Sequence, residues 1–192
     1  MVREGLETAA APVPGSNAGT PARGGRIWRR LAAFLLLFAA LYEGLAHFWG
    51  DGLGRWVIDR ATVAPAAWLA RLFSGDPGIV ADGSHLRSAQ ASINVLFGCD
   101  GSDVLMLLAA ALLVTPVPWR DRLLGLLAGT ACVFVLNQAR VLALFFCLRA
   151  RNGWFGSVHG LIAPLAMVVL VVAFFLGWMR WTQRDAGRAA AA

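Results

Sequence analysis

Four long apolar blocks constrain this chain more than any other feature of its sequence. They cover residues 31–49, 104–119, 123–148 and 161–179. A helix needs about 20 apolar residues, each rising about 1.5 Å, to cross a hydrocarbon core about 30 Å thick. The second block reaches this length only if its helix begins near Cys99. With 58% hydrophobic residues, against roughly 45–50% in soluble domains, the sequence predicts an all-α membrane protein with four transmembrane helices.

The arginines predict how these helices are oriented. All 17 basic residues are arginine, and ten of them precede the first block, follow the fourth, or lie between the second and third. The positive-inside rule therefore places both termini in the cytoplasm and the connection between the first two blocks outside it. Because this asymmetry accounts for the net charge of +6, we expect no nucleic-acid partner.

The other segments predict two tails and one extracytoplasmic loop. Residues 1–25, rich in Ala, Pro and Gly, are typical of a disordered cytoplasmic tail; residues 26–182 form a single transmembrane domain, and residues 183–192 a flexible cytoplasmic tail. In the loop, "GRWVIDRATVAPAAWLARLF" has the pattern of an interfacial amphipathic helix that is broken, or started again, at Pro65. The Asp-Gly pair at 82–83, followed by rough alternation, predicts a small hairpin or extended segment.

Two ionisable residues within the predicted spans, Glu43 and Arg140, are functional candidates. A charge at the centre of a membrane costs about 2.5–3.5 kcal/mol on insertion scales, so such a residue usually has a role there. Asn137 lies one helical turn before Arg140, on the same face. The predicted topology brings this face toward the outer boundary, where Cys99 opens the second span and His159 opens the fourth.

A thiol, an imidazole and a guanidinium at one boundary are the groups of a nucleophilic site. Cys99 would be the nucleophile, since an adjacent cation, an imidazole or a helix N-terminus stabilises a thiolate. His159 would carry the proton to the leaving amine, and Arg140 would stabilise an oxyanion or hold a substrate carbonyl or carboxylate. Gly98 and Gly101 would let the backbone turn tightly beside a substrate.

Each candidate also has a structural interpretation. An isolated cysteine at a helix start is more often structural than catalytic, and a Cys99–Cys147 disulfide would abolish the nucleophile. Asn137 can act solely by hydrogen bonding to a neighbouring helix, and Glu43 either lines the pocket or pairs with an arginine. A carboxylate at Asp100 would oppose a thiolate beside it unless a cation offset its charge.

Three short segments, Gly-Cys-Asp-Gly at 98–101, Asn-x-x-Arg at 137–140 and His-Gly at 159–160, resemble the exosortase/archaeosortase family in their order and spacing. The resemblance covers roughly residues 94–164, and the chain looks like a compact member. It implies a multi-pass cysteine transpeptidase or protease of the bacterial inner membrane whose active site faces the periplasm. In that family Cys99 would be the nucleophile, His159 the acid/base and Arg140 the third member, with Asn137 in support.

The same resemblance implies the partners. Substrates would be exported proteins with a C-terminal sorting motif, a transmembrane helix and a basic tail, cleaved through a thioester and passed to an acceptor nucleophile that the sequence leaves open. Membrane lipids would surround the enzyme, and we expect neither a metal nor another cofactor, because the histidines lack ligand spacing. Two other classes stay open: a non-enzymatic assembly or transporter subunit in which Arg140 pairs with Glu43, and a membrane acyltransferase.

Overall fold

A computed structural model of the chain describes residues 21–48, 52, 54–151 and 153–191, which are mostly helical. The first part comprises helix α1 (Pro21–Phe48), α2 (Gly54–Trp56), a first π-helical segment (Val57–Val63) and α3 (Ala64–Ser74). Three strands follow, β1 (Val80–Asp82), β2 (His85–Arg87) and β3 (Ser92–Asn94). The last part comprises α4 (Ser102–Val114), α5 (Trp119–Arg149), α6 (Phe155–Ser157), a second π-helical segment (Val158–Ile162) and α7 (Ala163–Ala191).

The two predicted tails are described only in part. Residues 1–20 of the N-terminal tail lie outside the described residues, and α1 already begins at Pro21, inside the predicted tail. At the other end α7 continues to Ala191, so residues 183–191 are helical where the sequence predicts a flexible tail.

Three helices are long and apolar enough to cross a membrane, namely Gly25–Phe48, Trp119–Arg149 and Phe155–Asp185. They match the first, third and fourth predicted spans. Helix α4 has 13 residues, about 20 Å, which is less than the roughly 30 Å of a hydrocarbon core. It ends at Val114 because the residue before Pro116 is forced into an extended conformation. The fourth crossing therefore stays a prediction.

Helix α4 lies inside a bundle with α1, α5 and α7. Its Leu108 and Leu112 share one buried core with Val133 of α5 and Val171 of α7. Close approach of α4 to α5 depends on Gly129, where an added Cβ would lie 2.7 Å from a methyl carbon of Leu108. The short helix is thus the centre of the bundle, surrounded by the longer ones.

The arginine-rich segments meet at one end of this bundle. Arg30 near the start of α1 lines one cavity with Val114 at the end of α4 and Met179 in the second half of α7. At the start of α5 the carbonyl of Asp121 accepts a hydrogen bond from the Trp178 indole at 3.3 Å. Helix α4 therefore runs antiparallel to α1 and, despite its length, ends among the arginine-bearing ends of its neighbours.

Residues 54–95 form a cap on the opposite end. The three strands make an antiparallel sheet in the order β1-β2-β3, with Leu86 of β2 opposite Ala81 and Ile93. The Asp-Gly pair noted in the sequence lies at the turn between β1 and β2, where Gly83 has a φ of +56°. The cap therefore contains a sheet one strand larger than the hairpin that the sequence predicts.

The cap packs onto the C-terminal turns of α5. Buried Val63 of the first π-helical segment, Leu86 and Val95 share a core with Val141 and Phe145 of α5. An ion pair of 2.8 Å between Arg149 and Asp76 ties the end of α5 to the turn after α3. The cap and the bundle thus share one helix as their common support.

The π-helical segments Val57–Val63 and Val158–Ile162 each end two residues before a proline. Pro65 and Pro164 each follow an alanine whose N–H donates to the carbonyl five residues earlier, that of Asp59 in the first segment and of Val158 in the second. A proline has no N–H, and its ring crowds the carbonyl four residues before it, which a wider turn relieves. The sequence predicts a helix that is broken or started again at Pro65; in the structure α3 begins at Ala64 with Pro65 in its first turn, directly after the wider turns of Val57–Val63.

Candidate functional site

Cys99 lies in a tight turn between the cap and α4. Its N–H donates to the carbonyl of Leu96 at 2.9 Å. Gly98 and Gly101 on either side have φ values of +82° and +83°, which side-chain-bearing residues rarely adopt. Helix α4 begins only at Ser102, so the thiol lies in the turn and not on the helix itself. Both glycines therefore supply the backbone conformation that this turn requires.

Arg140 of α5 holds its guanidinium beside the sulfur of Cys99. Its Nη2 is 4.0 Å from the Cys99 Sγ, and its Nη1 is 3.9 Å from the Sδ of Met167. The Nε of Arg140 is buried and has no hydrogen-bond partner among the described residues. Because a guanidinium does not lose its proton in proteins, a permanent positive charge lies against the thiol.

Asn137 anchors the turn to α5. Its Nδ2 donates to the carbonyl of Asp100 at 2.8 Å, and the side chain is buried. At Gly101 an added Cβ would lie 3.1 Å from Cγ of Asn137, so the turn and the helix are in close contact. One helical turn of α5 therefore positions both the backbone next to Cys99, through Asn137, and the charge next to its sulfur, through Arg140.

The carboxyl group of Asp100 stabilises the same turn by hydrogen bonds within it. Its Oδ1 accepts hydrogen bonds from the Gly98 N–H at 2.9 Å and the Ser102 hydroxyl at 3.1 Å. Its Oδ2 is buried without a partner in the described part of the chain. Burial raises the pKa of Asp100 above its ordinary value, although the hydrogen bonds act in the opposite direction. The carboxyl group of Asp100 therefore links the backbone before Cys99 to the first residue of α4.

A cavity of about 290 Å³ opens beside Cys99, and His159 lies on its wall. Val141 and Leu144 of α5 supply apolar parts of that wall. The exposed imidazole of His159 stacks on the ring of Phe155, with centroids 5.6 Å apart and an angle of 3° between the planes. Thus the predicted nucleophile and the predicted acid/base face one space, with the imidazole held by an aromatic neighbour.

The other predicted residues lie around this arrangement or away from it. Arg140 contacts the sulfur but is not one of the residues lining the cavity, and neither is Glu43, which is exposed on α1. Of the ion pairs that join described residues, none links Arg140 to Glu43. Cys99 and Cys147 are both free thiols.

The sequence interpretation missed Gln138. This buried side chain donates from Nε2 to the carbonyl of Ala61 at 3.5 Å. That carbonyl lies four residues before Pro65, which has no N–H to offer it. An amide next to Asn137 within an apolar helix was the available signal, since a polar group there needs a partner. Gln138 thus ties the cap to the helix that carries Arg140.

The site lies where the cap and the bundle meet. Cys99 packs against the core of the cap, whereas Met167, the other contact of Arg140, belongs to the core of the bundle. Asn137 lies 12 residues before Arg149 on α5, so the turn that it anchors is about 18 Å from the end of that helix. The site is therefore recessed beneath the cap.

Comparison with known proteins adds no constraint to this geometry, because no protein-family model, curated protein or solved structure matches the chain. Among the described residues there is also no group of three or more His, Cys, Asp or Glu side chains that could hold a metal ion. The chemistry has to be inferred from the thiol, the imidazole and the guanidinium themselves.

Proposed function

We propose that this chain is a cysteine peptidase or transpeptidase of the bacterial inner membrane that cleaves C-terminal sorting signals of exported proteins. The observation that carries the proposal is the guanidinium of Arg140 lying 4.0 Å from the sulfur of Cys99, at a cavity that Cys99 shares with His159. The resemblance of segments 98–101, 137–140 and 159–160 to the exosortase/archaeosortase family supports the same assignment.

The reaction has two halves that share a thioester. In the first half, the thiolate of Cys99 attacks the carbonyl carbon of the scissile peptide bond, so that a C–S bond forms and the C–N bond breaks. Protonated His159 gives its proton to the departing amine. In the second half, an amine or water attacks the thioester carbonyl, loses a proton to His159 and releases the Cys99 thiolate. An amine acceptor gives transpeptidation, and water gives hydrolysis.

Arg140 acts on the sulfur in this mechanism. Its guanidinium contacts the Sγ of Cys99 from outside the cavity wall, and an adjacent cation favours the thiolate over the thiol. Of the roles that the sequence leaves open for Arg140, we therefore favour the adjacent cation over the binding of an oxyanion or a carboxylate. Asn137 is a positioning residue, because it acts through the Asp100 carbonyl at 2.8 Å and not on the substrate.

The arginine-rich end of the bundle supports a cytoplasmic position for that end, by the positive-inside rule. The cap and the cavity would then face the periplasm. In this orientation α4 would carry the chain across the membrane a fourth time together with the non-helical residues 99–101 before it and 115–118 after it, since its last residue, Val114, lies beside Arg30 of α1. A substrate tail anchored in the membrane would meet the cavity from the outer leaflet, where water and soluble acceptors also arrive.

Substitution of the nucleophile tests the proposal in cells. A tagged exported protein with a C-terminal motif, transmembrane helix and basic tail accumulates uncleaved in membranes when the chain carries Cys99→Ala or Cys99→Ser. Matched controls are Cys132→Ser and Cys147→Ser, which change free thiols outside the cavity lining and should leave processing unchanged. Normal processing by both Cys99 variants would refute the mechanism.

A chemical trap separates this function from the alternatives. Hydroxylamine attacks a thioester, so purified full-length chain incubated with substrate should release a hydroxamate of the cleaved protein's new C-terminus. A membrane acyltransferase would instead release a fatty hydroxamate. A non-enzymatic subunit would release neither, and in it Glu43→Gln would impair folding as much as Arg140→Ala.

A further inference from the structure

One wall of the cavity beside Cys99 is the free edge of the cap's sheet. Strand β3 is the terminal strand in the order β1-β2-β3. All three residues of β3, Ser92, Ile93 and Asn94, line the cavity together with Cys99 and His159. The edge of the sheet therefore opens into the space that the proposed catalytic groups share.

Hydrogen bonds at the two ends of β3 show which of its residues face β2. The N–H of Val95 donates to the carbonyl of Ser84 at 2.8 Å, and the carbonyl of Ala91 accepts from the N–H of Ser88 at 2.8 Å. In an antiparallel pair, residues alternate between those that bond to the neighbouring strand and those that do not. Residues 91, 93 and 95 therefore direct their main-chain groups toward β2.

By the same alternation, Ser92 and Asn94 direct their N–H and C=O groups away from β2, to the open edge. These four groups have no main-chain hydrogen-bond partner within the described ranges. The two residues are about 6.6 Å apart, at about 3.3 Å per residue, which is the repeat of alternate residues in an extended chain. Unpaired groups on an edge strand are a template for a further strand.

We propose that the cavity binds its substrate as an extended peptide that adds to β3 as a fourth strand. The inference rests on the proposed function and names its substrate class: an unfolded, extended segment with free N–H groups at alternate positions. Main-chain pairing would supply most of the affinity, and the apolar wall of Val141 and Leu144 on α5 would take the side chains. A lipid acyl chain has no groups that could pair with Ser92 and Asn94.

Peptide reagents of defined structure test the pairing without knowledge of the natural substrate. The full-length chain in detergent micelles is alkylated with acetyl-Ala-Ala-Ala chloromethyl ketone, with chloroacetamide, and with three forms of the ketone that are N-methylated at one alanine each. The rate at Cys99 is measured by mass spectrometry and divided by the reagent's rate with glutathione. We expect the unmethylated ketone to exceed chloroacetamide about 10-fold or more, since two or more hydrogen bonds add to its binding.

The position dependence of N-methylation is the specific signature of a strand. The rate gain over chloroacetamide should be lost either when the central alanine is methylated or when either outer alanine is methylated. It should not be lost at all three positions, because only alternate residues of a strand face the edge. An equal loss at all three positions, or equal normalised rates for the unmethylated ketone and chloroacetamide, would overturn the pairing. The proposed function would then still stand. A Cys99 that reacts with none of the reagents would refute the proposed function and the inference together.

A matched pair of variants tests β3 itself. Asn94→Pro removes the N–H that faces the edge, whereas Asn94→Ala removes the side chain and keeps that N–H. Each variant's rate with the unmethylated ketone is divided by its own rate with chloroacetamide, and we expect this ratio to lose its roughly 10-fold gain in Asn94→Pro and to keep it in Asn94→Ala. Loss of the gain in the alanine variant would show that the side chain binds the peptide, and this would contradict the inference. If Asn94→Pro fails to fold, the N-methylation pattern on the unmodified chain decides alone.

Discussion

Replacing Gly101 by alanine tests how tightly the Cys99 turn is held against α5. Gly98 and Gly101 have nearly the same backbone conformation, with φ values of +82° and +83°. Their surroundings differ, because an added Cβ would meet nothing within 4 Å at Gly98 but would lie 3.1 Å from Cγ and 3.2 Å from Cβ of Asn137 at Gly101. Gly98→Ala is therefore a matched control that has the same backbone strain without the contact.

The structure sets the expected size of each effect. Placing an L-residue in the left-handed region costs about 1–2 kcal/mol, and both variants have this cost. Overpacking against buried Asn137 adds about 1–3 kcal/mol in Gly101→Ala alone. We expect the free energy of unfolding to fall by about 1–2 kcal/mol for Gly98→Ala and by about 2–5 kcal/mol for Gly101→Ala. Because Asn137 holds the Asp100 carbonyl, Gly101→Ala should also slow substrate processing further, by about 10- to 100-fold.

The assay is unfolding of the micelle-embedded chain by sodium dodecyl sulfate, followed by circular dichroism. A double-mutant cycle with Asn137→Ala removes two of the three close atoms, Cγ and Oδ1, so the additional cost of Gly101→Ala should decrease by about 1 kcal/mol or more in that background. Equal destabilisation by Gly98→Ala and Gly101→Ala would contradict the contact and, with it, the positioning role of Asn137.

Three further predictions concern the surroundings of the sulfur and the cap. Arg140→Gln should slow chloroacetamide alkylation of Cys99 at pH 7 by about 10-fold, because the cation that favours the thiolate is lost; an unchanged rate would refute this role. The raised pKa of Asp100 means that its contribution to stability is full below its unfolded pKa of about 3.8 and is lost as the pH rises through the folded value. Asp100→Asn should therefore gain stability relative to the wild type from pH 4 to pH 8 in unfolding titrations at each pH; a constant difference would contradict it. Gln138→Leu should cost about 1 kcal/mol, and less when Pro65→Ala supplies the missing N–H, which a double-mutant cycle measures; identical costs in both backgrounds would count against that hydrogen bond.

The sequence predicts the three long helices well because the residues within each segment are enough to determine its helical structure. Each of the segments 25–48, 119–149 and 155–185 contains a stretch of 18 residues with high mean hydropathy and few charges, and in a membrane a helix satisfies all its backbone groups by itself. The end of helix α4 was harder to predict, because the apolar block continues past Val114. Thr115 and Val117 lie in this block, but neither belongs to a helix. The prolines at 116 and 118 were the signal for its end.

The site was predictable as far as topology determines it. The meeting of Cys99 with Arg140 follows from two antiparallel helices that share an end. The bond between Asn137 and the Asp100 carbonyl does not follow, because it depends on the helix rotation that packing selects. Neither does the position of β3, since three-residue strands have too little alternation to define their register.

The π-helical segment that carries His159 has a consequence for how this side chain is aimed. Each residue of an α-helix rotates the next by about 100°, so the one additional residue in a wider turn offsets everything before it from everything after it. The imidazole of His159 therefore points in a direction that the α-helical repeat of α7 does not determine. The exposed and buried faces of α7 follow that repeat only after Pro164. Deleting a single residue from Val158–Ile162 would rotate the ring of His159 about the helix axis and leave Met167 and Val171 in place. The same deletion after Ala163 would instead change which residues of the whole span face the core.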